Sequence, residues 1–145
     1  MLESGRDELV AIVSPEHPWA GRESVLAREF EGQPLVLYDR QSQITDLTLR
    51  FLFEEGVFPR LAAEIDHLEA LKDVVRAGLG AAVIPRWAAR REFAAGALVA
   101  VRLGPRGLRR VWGLLYSDGP QLSATLRGMV ALFAAALPKR LAQTR

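Results

Sequence analysis

The 145-residue sequence has no cysteine and only two histidines. The lack of cysteine excludes disulfides, thiolate zinc sites, iron–sulfur clusters and a cysteine nucleophile, so stability has to come from packing. His17 and His67 fit no metal-binding spacing of the H-x-x-x-H or H-E-x-x-H type. No apolar run approaches a bilayer span, and the N-terminus lacks the pattern of a signal peptide. We expect a cytoplasmic protein without a metal, a cofactor or a membrane anchor.

The common catalytic and nucleotide-binding motifs are also missing. There is no Gly-x-Ser-x-Gly nucleophile elbow and no phosphate loop, and Gly78 and Gly80 lack the third glycine of a dinucleotide fingerprint. The acidic pairs Asp7–Glu8 and Glu54–Glu55 consist of sequence neighbours, whose side chains diverge on a strand or helix. We interpret both pairs as solvated surface, and we predict no enzymatic activity.

Composition and charge describe a globular chain with an uneven charge distribution. Half of the residues are hydrophobic, a quarter are charged and the mass is 16.0 kDa, which allows at most two small lobes. Residues 1–75 contain seven Lys or Arg and fifteen Asp or Glu, whereas residues 76–145 contain twelve and two, so the halves carry −8 and +10. Because the arginines are dispersed over several elements, we favour charge matching within or between chains over nucleic-acid binding.

Short apolar runs alternate with amphipathic segments along the chain. Such alternation is typical of an α/β fold with a mostly parallel sheet flanked by helices. Pro and Gly separate the elements, as they do where turns are needed. Strands are predicted at 9–13, 35–38, 60–65, 80–84, 98–103 and 111–116, and helices at 25–30, 44–55, 67–77, 86–93 and 120–137.

Two of the predicted helices carry specific end signals. Asp66 and Glu69 have the spacing of an acidic capping box, which predicts a helix that begins after Asp66 and ends at Gly78. The last helix is predicted to begin near Pro120 and to end at Pro138. Its apolar stripe consists of Leu122, Leu126, Met129, Phe133 and Leu137. This stripe should be exposed unless a partner surface covers it.

The best candidate for a binding site is formed by two helix N-termini that follow predicted strands. Residues 41–45 and 66–68 occupy these positions, and an open α/β sheet usually binds its ligand where parallel strands end. Free backbone N–H groups there favour acceptor or anionic groups of a small ligand. Ser42, Thr45 and Asp66 have a second interpretation, since each is also a good N-capping residue.

The order of these segments carries a family resemblance. The segments at 9–20, 34–38, 56–60, 64–72 and 75–85 follow one another at characteristic distances, and the string Ala-Gly-Leu-Gly-x-x-x-Ile-Pro at 77–85 is the most specific. From about Glu8 to Leu137 the chain resembles the effector-binding domain of LysR-type transcriptional regulators. The resemblance implies a fold like that of type 2 periplasmic binding proteins, with two lobes joined by two crossover strands around a small molecule.

The resemblance also implies a domain organisation. Residues 1–7 are expected to be a disordered or start segment, residues 8–103 to form the second, effector-binding lobe, and residues 104–145 to supply the crossover strand and C-terminal helix of the first lobe. The winged helix-turn-helix and the first part of lobe one are outside this sequence. DNA would therefore be bound only through an N-terminal domain that this chain does not contain.

Carried over position by position, the effector contacts of the family fall on six residues. These are Ser42, Gln43, Thr45, Asp66, His67 and Pro85, with Pro85 at the rim. A small organic acid is one candidate effector, and we expect weak or no binding by this chain alone because one wall of the cleft is missing. We also expect a homodimer. The alternatives are a non-binding remnant, a dominant-negative partner of an intact regulator, or an enzyme on the same fold.

Overall fold

The computed structural model describes the backbone of residues 2–115 and 123–142 and the side chains of 5–115 and 123–138. The chain divides into two compact units. One unit is the continuous segment Glu8–Leu108, and the other combines Met1–Asp7 with Arg109–Arg145. The chain therefore passes from one unit to the other twice, once within the first strand and once within the last.

Seven strands and four α-helices make up the described part of the chain. The strands are β1 Leu2–Val13, β2 Ser24–Val25, β3 Pro34–Tyr38, β4 Arg60–Ile65, β5 Ala81–Pro85, β6 Val99–Leu103 and β7 Leu108–Leu114. The helices are α1 Gln43–Phe53, α2 Leu68–Arg76, α3 Arg90–Ala94 and α4 Ala124–Ala142, with 3₁₀ helices at Ala27–Phe30 and Arg86–Ala89.

The sheet is mixed, with parallel pairs on either side of an antiparallel centre. The strand order is β2-β6-β1-β5-β3-β4, and β7 also pairs with β1. The pairs β2–β6, β3–β4 and β3–β5 are parallel, as expected, but β1 is antiparallel to both β5 and β6. An apolar run reads alike in either direction, so the sequence predicts that β1 is buried without predicting its orientation.

The core lies on both faces of this sheet, and β1 contributes to each. Leu9, Ala11 and Val13 belong to one apolar cluster, whereas Val10 and Ile12 belong to another. All five residues are 0% exposed. Successive side chains of a strand point to opposite faces, so a continuous apolar run is what a strand covered on both sides requires.

The structure corrects the predictions at both ends of the chain. Residues 2–7 are the first half of β1, whereas we expected a disordered or start segment. Their polar sequence does not predict a strand, and the strand state comes with the pairing of β1 with β7. At the other end, α4 continues past Pro138 to Ala142, although an internal proline removes a helical hydrogen bond and crowds the preceding turn, so the predicted end at Pro138 was wrong. The predicted start at Pro120 lies outside the described residues.

The apolar stripe predicted for α4 is exposed at three of its four described residues, whereas the fourth, Leu137, is partly buried. Leu126, Met129 and Phe133 are 41%, 50% and 47% exposed, and Leu122 lies outside the described residues. The partly buried face consists of Val130, Ala134 and Leu137. Since apolar residues occur all around this helix, the periodicity did not identify its packed face.

Two glycines end helices as predicted. Gly78 has φ 76°, and its N–H donates to the carbonyl of Val75 while the next N–H, of Leu79, donates to Val74. This pair of hydrogen bonds is a Schellman motif, which requires a left-handed residue after the helix. Gly56, with φ 71°, ends α1 in the same way.

Gly80, at the start of β5, is needed for a different reason. A Cβ atom at this position would lie 2.6 Å from the carbonyl oxygen of Pro34 and 3.3 Å from Cγ2 of Val36. The backbones of β3 and β5 therefore approach so closely here that a side chain cannot be accommodated.

We predict that Gly80→Ala destabilises the protein by about 1–3 kcal/mol, since either the backbone must move or the clash must persist. Gly21→Ala is the matched control, because nothing lies within 4 Å of a Cβ at that position. Urea unfolding curves of both variants measure the difference. Equal midpoints for the two variants would contradict the close approach.

Candidate functional site

The predicted site residues meet at one edge of the sheet. β3 and β4 are parallel, with a register shift between Leu35 and Val36 and with Tyr38 opposite Ile65. β5 runs parallel to β3 on its other side. The segments that follow Tyr38, Ile65 and Pro85 therefore leave the sheet at the same edge. This arrangement brings together the three segments that contain Ser42, Gln43, Thr45, Asp66, His67 and Pro85.

Ser42 and Thr45 form a capping network at the start of α1. Ser42 Oγ accepts a hydrogen bond from the Thr45 N–H at 3.1 Å and donates to Thr45 Oγ1 at 3.2 Å. The Thr45 hydroxyl in turn donates to the carbonyl of Tyr38, so it ties the helix to the end of β3. Both hydroxyl protons are thus committed within the protein, and a ligand could use only the remaining acceptor sites of these side chains.

The donors that remain at this helix end are backbone N–H groups. Those of Gln43 and Ile44 occupy the first two helical positions and pair with no acceptor among the described residues. The Gln43 side chain is exposed beside them. A ligand at this position would therefore meet two N–H donors and the positive end of the helix dipole.

The start of α2 differs from the predicted capping box. The N-cap is His67 and not Asp66, and His67 Nδ1 accepts a long hydrogen bond of 3.4 Å from the Ala70 N–H. The helix begins one residue later than predicted, so the spacing from Asp66 to Glu69 no longer fits the box. Asp66 and His67 are both exposed at the sheet edge.

Three charged residues that the sequence analysis did not select lie at the same edge. Glu8 Oε2 accepts from Arg86 Nε at 3.2 Å, and Glu8 Oε1 lies 3.7 Å from Arg102 Nε. Arg86 directly follows Pro85, and Glu8 neighbours it because Leu9 pairs with Pro85. Arg102 also pairs with the exposed Glu23 at 3.3 Å. The one sequence signal for these three residues is the position of Arg86, which follows a predicted strand as the other candidate residues do.

The other unit contains a second ion pair formed by the neighbouring acid. Asp7, whose side chain is fully buried, accepts from Arg110 Nε at 3.1 Å and from Arg110 Nη2 at 2.6 Å, and also from Trp112 Nε1 at 3.0 Å. The guanidinium lies 4.6 Å from the centre of the Trp112 ring. The interpretation of Asp7–Glu8 as solvated surface was wrong, since both acids are held by arginines.

A buried lysine holds the segment that follows Pro85. Lys72 Nζ on α2 donates to Glu92 at 2.5 Å, to Glu69 at 2.8 Å and to the carbonyl of Ala88 at 3.3 Å. Burial alone would raise the pKa of Glu92, but the Lys72 hydrogen bond and nearby positive charges lower it below 4.5. Burial likewise would lower the pKa of Lys72, and its two carboxylate partners raise it above 10.5.

We predict that Glu92→Gln lowers the free energy of unfolding at neutral pH by about 1.5–3 kcal/mol, the usual contribution of a hydrogen bond to a charged group. Because the folded pKa of Glu92 is lowered, its contribution is present above pH 4.5 and is lost as the pH falls through the folded pKa. Denaturant unfolding as a function of pH should show the wild type and the variant converging in acid. Glu69→Gln, at an exposed position, is the control and should change stability by less than about 1 kcal/mol.

Two classes of site are not found in the described residues. No group of three or more His, Cys, Asp or Glu side chains there is arranged to hold a metal ion. Among the helices described, none has the length and apolar character needed to cross a membrane.

Comparison with known proteins identifies the family. The model of the LysR substrate binding domain matches residues 2–138, and the chain belongs to this family. The chain is 36% identical over 76 residues to the HTH-type transcriptional regulator TtuA of Agrobacterium vitis, covering 51% of this chain and 25% of that regulator. It is 30% identical over 115 residues to the RuBisCO operon transcriptional regulator of Allochromatium vinosum, covering 79% and 38%.

The fold is also similar to that of a solved regulatory domain. The Synechocystis PCC6803 CcmR regulatory domain, determined in complex with 2-PG, matches with a TM-score of 0.82 and 20% identity over 92% of this chain and 64% of that one. The expected fold like that of periplasmic binding proteins is thereby confirmed. The chain spans well under half the length of the two curated regulators.

Proposed function

We propose that this chain is the small-molecule effector-binding and dimerisation module of a LysR-type transcriptional regulator. The observation that carries the proposal is the convergence of three parallel strand ends on an edge with free helix N–H donors, in a chain that matches the family over residues 2–138. Regulatory domains of this family bind small-molecule effectors and commonly form oligomers. Transcriptional control would then be exerted in the cytoplasm, through a DNA-binding domain outside these residues.

In this proposal the two parts of the chain have different roles. Residues 8–103 form the effector-binding lobe, and residues 104–145 supply a crossover strand and the C-terminal helix of the other lobe. The effector contacts are Ser42, Gln43, Thr45, Asp66, His67 and Pro85. The acid-rich and base-rich halves of the sequence are matched in part by the pairs that Glu8 and Asp7 form with arginines, which supports charge matching within the chain.

A small organic acid is the effector class that fits the site best. Two N–H donors at the start of α1 favour an anionic group. The nearby hydroxyls of Ser42 and Thr45 add no donor to them, because their protons are committed to acceptors of the protein. The similar CcmR regulatory domain was determined in complex with 2-PG, which supports the binding of a small ligand by a domain of this fold. The relatives are transcriptional regulators, which supports a binding function over an enzyme.

We predict that a small carboxylic or phosphorylated acid raises the melting temperature of the purified chain, while matched neutral compounds do not. A ligand at about one hundred times its dissociation constant adds about 2.7 kcal/mol, which is a shift of several degrees. Weak or no binding is expected for this chain alone, and the helix N–H donors without an acceptor among the described residues favour weak binding, so high ligand concentrations are needed. A cooperative melt that none of the acids shifts would contradict the proposal.

The N–H donor of Gln43 can be removed without breaking the helix. Proline is well tolerated at the first helical position, and Ser42 already has the extended conformation, φ −78° and ψ 142°, that a residue before proline requires. We predict that Gln43→Pro weakens binding of the acid about tenfold or more, as expected for loss of a charge-assisted hydrogen bond. Gln43→Ala, which retains the N–H, is the control, and equal affinities of the two variants would exclude this donor.

We further propose that the chain self-associates through the exposed apolar residues of α4. Leu126, Met129 and Phe133 are each about half exposed, which a lone helix in water does not favour. Light scattering should therefore report a dimer, and Met129→Lys should make it monomeric. The dimer should be stronger at low salt, because attraction between the acid-rich and base-rich halves of two chains is then less screened. Ala131→Ser, at an exposed position of the same helix, is the control. A wild-type monomer at every salt concentration would exclude the dimer.

A further inference from the structure

Arg86 is the charged residue that directly follows the end of β5 at the binding edge. It directly follows Pro85, where β5 leaves the sheet beside the ends of β3 and β4. Its side chain is 27% exposed, so it is neither fully solvated nor fully enclosed. An arginine at this place can bind a ligand with a smaller loss of side-chain entropy, because its Nε is already hydrogen-bonded to Glu8.

The one hydrogen bond that Arg86 makes among the described residues leaves four of its five N–H donors without an acceptor there. Nε donates to Glu8, and no described residue accepts a hydrogen bond from the two terminal amino groups. These amino groups are the end-on fork of the guanidinium, whose two parallel N–H groups match a carboxylate or phosphate in a bidentate manner. The contact with Glu8 thus orients the planar group and leaves its anion-binding end available.

Glu8 is itself fixed by its surroundings. Its Oε1 lies 3.7 Å from Arg102 Nε. The same oxygen lies so close to Gly107 that a Cβ atom added to this glycine would be only 2.9 Å away. One carboxylate is therefore shared by two guanidinium groups, and the other partner of Arg102, Glu23, is 84% exposed and contributes little. Two guanidinium groups thus share one well-held carboxylate, and the positive charge that remains on Arg86 and Arg102 can be neutralised by an anionic ligand.

We propose that Arg86 is the residue of the effector site that recognises the anionic group, a carboxylate or a phosphate, and that Glu8 is its positioning residue. This inference rests on the proposed function and adds the charge that determines specificity. Arg86 binds the anion through its terminal amino groups while Nε stays on Glu8. The ligand's negative charge then repels Glu8, so Glu8 limits affinity as well as orienting the guanidinium.

The test is a titration of the ¹⁵N-labelled chain with succinate, inorganic phosphate and neutral glycerol, followed by NMR. We expect saturable shifts of the amides of Gln43, Ile44 and Arg86 with one or both anions and none with glycerol. The stronger anion identifies a carboxylate or a phosphate as the recognised group. Arg86→Gln should weaken anion binding about tenfold or more, whereas Arg91→Gln, at an exposed position of α3, should leave it unchanged.

Glu8→Gln separates positioning from mere structural support. The amide oxygen can still accept from Arg86 Nε, but the competing negative charge is gone, so anion binding should become several-fold tighter. A purely structural role for Glu8 predicts unchanged or weaker binding, which would overturn its assignment. Shifts at Gln43 and Ile44 that persist unchanged in Arg86→Gln would overturn the role of Arg86 while leaving the proposed function intact. No shift with either anion would overturn both.

Discussion

The structure depends on β1 and on the two acids at its centre. Asp7 and Glu8 are consecutive residues, so their side chains leave the strand on opposite faces. Asp7 is held by Arg110 and Trp112, and Glu8 by Arg86 and Arg102. The division between the two units falls between these acids. Each unit therefore has its own ion pair immediately beside the point where the chain crosses.

The two ion pairs differ in what they contribute. Asp7 and Arg110 are almost fully buried, and loss of one partner of such a pair commonly costs about 3–5 kcal/mol because an uncompensated charge remains. The pair has two parallel hydrogen bonds and a third from Trp112, which satisfy the carboxylate well. Glu8 and Arg86 are partly exposed, so their pairing is weaker and more easily altered by a ligand. We infer that the pair Asp7–Arg110 stabilises the fold, and that the pair Glu8–Arg86 orients the arginine of the proposed binding site.

Local sequence predicted most of the elements that surround the site. Continuous apolar runs indicated the buried strands, Gly56 and Gly78 indicated helix ends, and the polar segment before α1 indicated a helix N-terminus at the right place. These features depend on neighbours within a few residues, which is why the sequence reveals them. The family resemblance added the order of the elements and the six candidate contacts.

The features that were missed all depend on contacts between distant residues. The strand state of residues 2–7 accompanies pairing with β7, the orientation of β1 depends on its neighbours, and Glu8 meets Arg86 across 78 positions of sequence. The start of α2 was predicted one residue too early. Asp66 is chemically the better N-cap, but the end of the preceding strand places His67 at the N-cap position. The sequence shows that acids are concentrated in one half and arginines in the other, but it does not show which acid pairs with which arginine.

We propose that a small acid binds at the edge of the sheet where β3, β4 and β5 end. A crystal structure of the protein with an acid that raises its melting temperature tests this claim most directly. We expect the acidic group of the ligand at the N–H groups of Gln43 and Ile44, within reach of Arg86. Ligand density against α4, or anywhere other than this edge of the sheet, would contradict it.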